Sequence, residues 1–288
     1  MTQMTTSLSV IVPVLVATLC AQEQVPQTRP GWPCVAGKAV DPVYLRTAEA
    51  TGGQVFLFDR SEAARAMMLV GVADKYDDTI FRSTGTLSTG LREFTVPVDS
   101  TVESLMLSVT LQCLQSITVY RPSNTEVRAG EPNVNDNQFR SGKILLLARP
   151  EAGAWRFKIT GVGMFFVVAQ AKSSISLDRV EFVEKGGRIG HEGLFPVKSA
   201  LHLGERRQLS VSVTAPAGGK TFRLINSAGE TLEPLGLRLS DESEDETEFL
   251  GTVTLKHSAF RVTVEGRDAA GYPYQRVLPK LIQIEAAN

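Results

Sequence analysis

Histidines, carboxylates, asparagines and cysteines are the residues here whose types and spacing could support chemistry. Each set falls short of what a reaction requires. His191, His202 and His257 are the only histidines. None has a partner at a metal-ligand interval, and His191-Glu192 is not followed by the second histidine that a zinc helix needs. They read as solvated surface imidazoles. Leu87-Ser88-Thr89-Gly90 lacks the first glycine of a nucleophile elbow. Gly186-Gly187-Arg188 is followed by neither Lys-Ser nor Lys-Thr, so no phosphate cradle forms there. Asp241 to Glu248 gathers six carboxylates in eight residues. Hard oxygens of this kind hold Ca²⁺, but they need alternating spacing and a turn glycine. A solvated, self-repelling loop is the expectation instead. Asn133-Val134-Asn135-Asp136-Asn137 sets amides and a carboxylate along an extended loop. A cation or sugar contact is one reading, and ordinary turn chemistry, which explains Asn and Asp equally well, is the expected one. We therefore assign no catalytic, cofactor-binding or metal site, and expect no cofactor.

The N-terminus carries an address rather than chemistry. Leu8 to Leu19 is an apolar run of secretory length, followed by Cys20-Ala21-Gln22, although the segment before it has no Lys or Arg. It reads as a signal peptide, residues 1–21, with cleavage after Ala21. Lipidation at Cys20 is the minor alternative, because Leu19 is bulky where that processing wants a small residue. Residues 22–40 are rich in Pro and Gln and read as an extended linker. After processing, Cys34 and Cys113 remain, which permits one disulfide. Because Cys113 lies beside the strand pattern Leu105–Leu111, a buried free thiol is expected there.

The 288-residue chain has room for two ordinary domains, and its formal charge is −1. That balance argues against a nucleic-acid partner, which would demand a basic excess or stripe. Beyond the leader, no segment approaches the roughly 18 uninterrupted apolar residues of a membrane span.

The elements alternate in a way that speaks of sheets. Asp41 to Ala50 reads as a helix capped by Asp41 with Pro42 at its first position. Gln54–Phe58 is a compact strand, and Ser61–Leu69 a second helix capped by Asp59 or Ser61. Then the grammar changes. Arg92–Val98, Val102–Val109, Ser116–Tyr120, Lys143–Leu147, Pro150–Ile159 and Met164–Ala169 are short runs rich in Val, Ile, Thr and Phe. Their alternation buries one face and wets the other. Trp155 is expected to anchor this sandwich as core, a sugar-stacking platform being the other role for an indole there. From residue 178 onward, strands are expected at Arg179–Glu184, Leu194–Leu203, Gln208–Thr214, Thr221–Asn226, Thr231–Leu239, Thr247–Leu255, Phe260–Gly266 and Gln275–Ile284. The turn signals between them recur at the spacing of a sandwich.

Ala48-Glu49-Ala50-Thr51-Gly52-Gly53-Gln54-Val55-Phe56 resembles the closing segment of a von Willebrand factor A domain. In the hemicentin family such a domain precedes a galactose-binding-like β-domain and an immunoglobulin-like module. Phe94 to Val98 and Pro150…Gly153-Ala154-Trp155 resemble the first of these. Gly193 to Val197, Phe260 to Asp268 and Gly271 to Arg276 resemble the second. The resemblance implies a mainly β chain: a helix–strand–helix remnant at 41–75, a galactose-binding-like sandwich at 76–175 and an immunoglobulin-like sandwich at 176–288. The Asp-x-Ser-x-Ser metal loop of an intact A domain is missing, so metal-dependent adhesion is not carried over. One strand with two helices cannot stand as a parallel sheet, so 43–70 should dock on the β-domain or stay partly exposed.

These readings lead to a secreted, cell-surface or periplasmic, non-enzymatic module that presents sandwich loops to an extracellular protein or glycan. The alternative is an accessory, carbohydrate-targeting domain of an extracellular hydrolase system. The expected contact is the turn after Phe260–Gly266. There Gly271 supplies a positive φ, Pro273 marks an edge or strand start, and Tyr272 and Tyr274 are expected on one face, as an exposed contact for a partner or, equally, packed against the first domain.

Overall fold

The computed structural model describes residues 15–18, 41–70, 76–88, 90–188, 190–215, 218–242 and 246–286. The rest of the leader and the whole 22–40 linker lie outside the described residues. Strand β1 (Leu15–Thr18), inside the apolar run read as a leader, lies parallel to β2 (Val55–Phe58). Helix α1 (Pro42–Thr51) starts where the Asp41 carboxylate accepts from the Val43 amide at 2.9 Å, and ends on a left-handed Gly52. A short 3₁₀ turn, Arg60–Glu62, opens with a capping box between Asp59 and Glu62 and leads into α2 (Ala63–Val70).

The next unit holds β3 (Asp78–Leu87), β4 (Leu91–Val98), β5 (Ser104–Tyr120), β6 (Val134–Phe139), β7 (Gly142–Ala148) and β8 (Gly153–Lys172). Their order is β3-β8-β5-β7-β6, with β4 pairing the first half of β8. The sequence reading places no strand in 78–87 and divides both β5 and β8 in two. Instead β5 and β8 run together from end to end, and register slips between Leu111 and Cys113 and between Leu114 and Ser116. Opposite these bulges, Gly161 and Gly163 take φ of 151° and 103°. A Cβ on Gly161 would stand 2.2 Å from the Cys113 carbonyl oxygen. The glycines that look like a chain break in sequence bend a continuous strand pair, because only Gly fits that approach.

Leu105, Leu107, Val109 and Leu111 of β5 pack with Trp155, Phe157, Ile159, Phe165, Val167 and Ala169 of β8 in one core. The opposite face is not wet at this end, because the helix–strand–helix unit covers it. Val55 and Leu57 pack with Ala48 of α1 on Phe166 and Val168. Phe56 and Phe58 pack with Ala66 of α2 on Met106, Phe139 and Ile144. This double cover accounts for the unbroken burial from Leu105 to Leu111 where alternation was expected.

The last unit is a sandwich of two antiparallel sheets. One sheet has the order β10-β9-β11-β15-β14. It is formed by β9 (Ser176–Gly186), β10 (Gly193–Pro196), β11 (Arg206–Thr214), β14 (Arg238–Glu242) and β15 (Thr247–Thr254). The other has the order β13-β12-β16-β17, with β18 also on β16. It is formed by β12 (Thr221–Ile225), β13 (Thr231–Leu235), β16 (Ala259–Arg267), β17 (Pro273–Val277) and β18 (Ile282–Gln283). Phe182, Leu209, Val211, Phe222, Leu224, Phe260, Val262 and Val264 fill the space between them. The run expected as one strand, Thr231–Leu239, divides at Gly236, and its halves serve different sheets. Leu194–Leu203 shortens to β10, and Gln275–Ile284 divides into β17 and β18 on either side of Pro279. The chain is thus two antiparallel β-sandwiches preceded by a short α/β element, mainly β as the sequence implies.

Candidate binding surface at the junction of the sandwiches

The β16–β17 turn is built by one side chain. Asp268 Oδ1 accepts from the amides of Ala270 at 2.9 Å and Tyr272 at 2.8 Å. Its Oδ2 accepts from the Ser100 amide of the first sandwich at 2.7 Å. Burial works against the Asp268 carboxylate, but the donors from Ser100, Tyr272 and Ala270 prevail and hold its pKa below the ordinary value. Sequence reasoning took Asp268 as a turn residue and missed that it clamps the turn to the neighbouring domain.

Gly271 adopts φ of 86°, as expected, and nothing lies within 4 Å of the Cβ it lacks. Backbone strain alone therefore opposes substitution. Gly271→Val should cost about 1–3 kcal/mol, read as a shift in denaturation midpoint, and an unchanged midpoint would contradict the strain argument.

The two tyrosines do not share a face. Tyr272 is 42% exposed, whereas Tyr274 is 2% exposed. The cause is that Tyr272 belongs to the Asp268-bonded loop, and strand alternation begins only at Pro273. Tyr274 pairs with Gly266, where a Cβ would lie 2.5 Å from its phenol oxygen. The ring occupies the space that Gly266 leaves, and burial pushes its pKa up to about 12. That cross-strand glycine was the available signal. Pro273 begins an edge strand, as its missing donor requires.

Beside this turn, Pro97 of the first sandwich and Gly218, Gly219, Thr221, Glu265, Arg267 and Gln275 of the second line a cleft of about 650 Å³. Its polar groups are held in place. Glu265 pairs with Arg223 at 3.1 Å, Arg267 donates to the Gly271 carbonyl at 2.7 Å, and Gln275 donates to the Ile80 carbonyl at 2.9 Å. Such a cleft offers fixed donors and acceptors next to an exposed phenol.

Behind the cleft the domains are joined by buried charge. Arg276 pairs with Asp99 at 2.9 Å with both side chains fully enclosed, and its Nε donates to the Ile175 carbonyl at 2.7 Å. Nearby, burial raises the Asp78 pKa to about 7. Arg276 lowers it, and Asp77, Asp178 and Asp99 add to the rise. A raised carboxylate pKa means that the folded state holds the proton more tightly than the unfolded chain. Stability therefore falls as pH rises from about 4 to 7 and is level beyond. Asp78→Asn should remove that slope and raise stability at pH 8 by a few kcal/mol, with little change at pH 4. Equal effects at both pH values in chemical denaturation would refute the assignment.

On the other side of the junction, Glu49 of α1 is shared by Arg82 of β3, at 3.5 Å, and Arg261 of β16. Thr84 also donates to it at 3.2 Å. All three charged side chains are at most 7% exposed. Arg82 further donates to the carbonyls of Gly52 and Gly53. Burial, then the nearby Arg261 charge, brings its pKa down to about 10. Arg261 and Thr263, which alternate with the core-facing Phe260, Val262 and Val264, are buried as well, Arg261 against Glu49 of α1 and Thr263 donating to the Arg276 carbonyl.

Trp155 is core at 1% exposure, its indole donating to the Glu151 carbonyl at 2.8 Å. Cys113 is not a free thiol but half of a disulfide whose other half lies outside the described residues. Among the described residues, no three His, Cys, Asp or Glu side chains gather where a metal ion could be held. Within the acidic run, Glu248 accepts from Ser210 at 2.6 Å and Glu246 pairs with Arg179 at 3.8 Å, while residues 243–245 lie outside the described set. Asn133 takes a positive φ in a turn, Asn137 donates to Asn135 at 2.9 Å, and Asp136 pairs with Lys143 at 2.8 Å on the other side of β6. No described helix is long and apolar enough to cross a membrane.

The chain matches no protein-family model and no curated protein. Among solved structures it is similar to a Bacillus licheniformis lipase, BlEst2, in propeptide form. The identity is 12%, the TM-score 0.32, and the match covers 71% of this chain and 41% of that one, well under two thirds of the lipase. A titin immunoglobulin tandem matches at 12% identity and TM-score 0.19, covering 73% of this chain and 97% of that one. The ectodomain of mouse nectin-like molecule 4 matches at 13% identity and TM-score 0.21, covering 69% and 64%. Likenesses of this depth carry no functional argument.

Proposed function

We propose that the chain is an exported, non-enzymatic binding module that presents the β16–β17 turn and its cleft to an extracellular protein or glycan. The observation that carries this reading is the pinned turn. Asp268 fixes both the loop and the neighbouring domain, yet Tyr272 at its tip stays 42% exposed. A preorganised aromatic contact loses little entropy on binding. The disulfide at Cys113 supports export, since such bonds persist in oxidising compartments. The hemicentin-like relationship belongs to the same proposal. The turn is tested by two single substitutions, with a glycan array and immobilised proteins from the host's culture medium as ligands. Tyr272→Ala should leave the melting temperature unchanged and abolish the strongest binding signal, whereas Tyr274→Ala should lower the melting temperature. Binding that survives Tyr272→Ala at full strength refutes the turn as the contact.

A further inference from the structure

We propose that the edge of β2 is a strand-acceptor site, which in the exported protein takes a parallel apolar strand from a partner polypeptide. The proposal rests on the export reading. In the structure the seat is filled by β1, which pairs Leu15 with Val55 through Thr18 with Phe58. All four β2 residues are between 1% and 5% exposed. Alternate residues of a strand face opposite sides, so α1 and β8 on Val55 and Leu57, and α2 with β5, β6 and β7 on Phe56 and Phe58, cover the two faces. That is the setting of a strand inside a parallel sheet, where neighbours and helices are the rule. Yet among the described residues this sheet has two strands.

Cleavage after Ala21 would remove β1 and open a row of backbone donors and acceptors between two helices. An edge of that kind pairs readily with another chain. The exposed apolar residues indicate what the partner brings. Val43 and Tyr44 on α1, and Met67 and Met68 on α2, are 42–71% exposed on the helices that flank the seat. A partner whose strand carries helices of its own would cover them. A second copy of this chain would have lost the same leader strand.

The probe is a synthetic peptide of residues 13–19, added in trans to the full chain carrying Val16→Pro, which breaks the β1 ladder without shortening the protein. Hydrogen exchange is followed at residues 55–58, with Leu107 and Val262 as internal controls. Val16→Pro should speed exchange across β2 at least tenfold, excess peptide should restore protection, and a scrambled peptide should not. Failure to restore it, with the controls still protected, overturns the acceptor site. If the controls also lose protection, labelled peptide is offered instead to the processed protein from its own host, whose seat has lost β1. Specific incorporation then supports the site, and none overturns it. Protection regained without peptide, together with a doubled mass by light scattering, gives the seat to a second copy and overturns the partner. The N-terminal mass of the protein from its own host tests export separately. Met1 found intact would defeat that reading whatever the peptide does.

Discussion

Glu49→Ala is expected to destabilise the protein by about 3–5 kcal/mol and to split one unfolding transition into two. The magnitude follows from removing one partner of a buried ion pair, which leaves its counter-charge uncompensated. Here two guanidinium groups, Arg82 and Arg261, converge on one carboxylate. The enclosure already holds more positive than negative charge, and among the described residues Arg82 Nε and Arg261 Nη1 have no hydrogen-bond partner. The splitting follows from position. Glu49 lies on α1, Arg82 on the first sandwich and Arg261 on the second, so a single carboxylate ties all three units. Calorimetry of the full chain reads both effects. Glu49→Gln keeps the shape and removes only the charge, and it should lose most of the same stability. Replacing all three side chains with apolar ones of similar volume should restore much of it, because a packed apolar cluster avoids desolvating charge. A single transition within about 1 kcal/mol of wild type for Glu49→Ala would show that the charges are not the tie.

The same junction marks where the sequence stopped being informative. Alternation in Arg92–Val98 or Phe260–Gly266 reports correctly which residues face the sandwich core. It cannot report that the opposite face is covered by another unit. Alternation alone therefore gives Arg261 no partner, although it is the counter-charge of a glutamate 212 residues away. Arg82 sits in Thr79-Ile80-Phe81-Arg82-Ser83, whose β-branched and aromatic content was a strand signal that could have found β3. Gly161 and Gly163 illustrate a different limit. Glycine punctuates turns and also permits bulges, and the choice was made by the Cys113 carbonyl pressed against Gly161 from β5. The helix caps, the positive φ at Gly271 and the core role of Trp155 were legible because each depends on neighbours a few residues away or on bulk alone. The Asp268 clamp was not, since its decisive partner is the Ser100 amide of the other sandwich.

Trp155→Ala should cost about 3–5 kcal/mol, a large share of the 5–15 kcal/mol that holds a typical domain folded. Trp155 is among the largest fully buried side chains. It stands opposite Val96 in the β4–β8 ladder and packs with Phe157 and Ile159 in the first core. Removing the indole opens a cavity that β8 cannot collapse to fill, because the strand is pinned by β4 on one side and β5 on the other. It also leaves the Glu151 carbonyl without its indole donor. Trp155→Phe separates these contributions. Most of the apolar packing remains and the hydrogen bond is lost, so the cost should drop to about 1–2 kcal/mol. The damage should be carried across the junction, since β3 and β4 of the weakened sandwich pack against β17. Denaturant titration followed by intrinsic fluorescence would report wild type, and circular dichroism would report all three. A melting point unchanged in Trp155→Ala, with glycan binding lost, would place the indole at the surface as a stacking platform and overturn the packing of the first core.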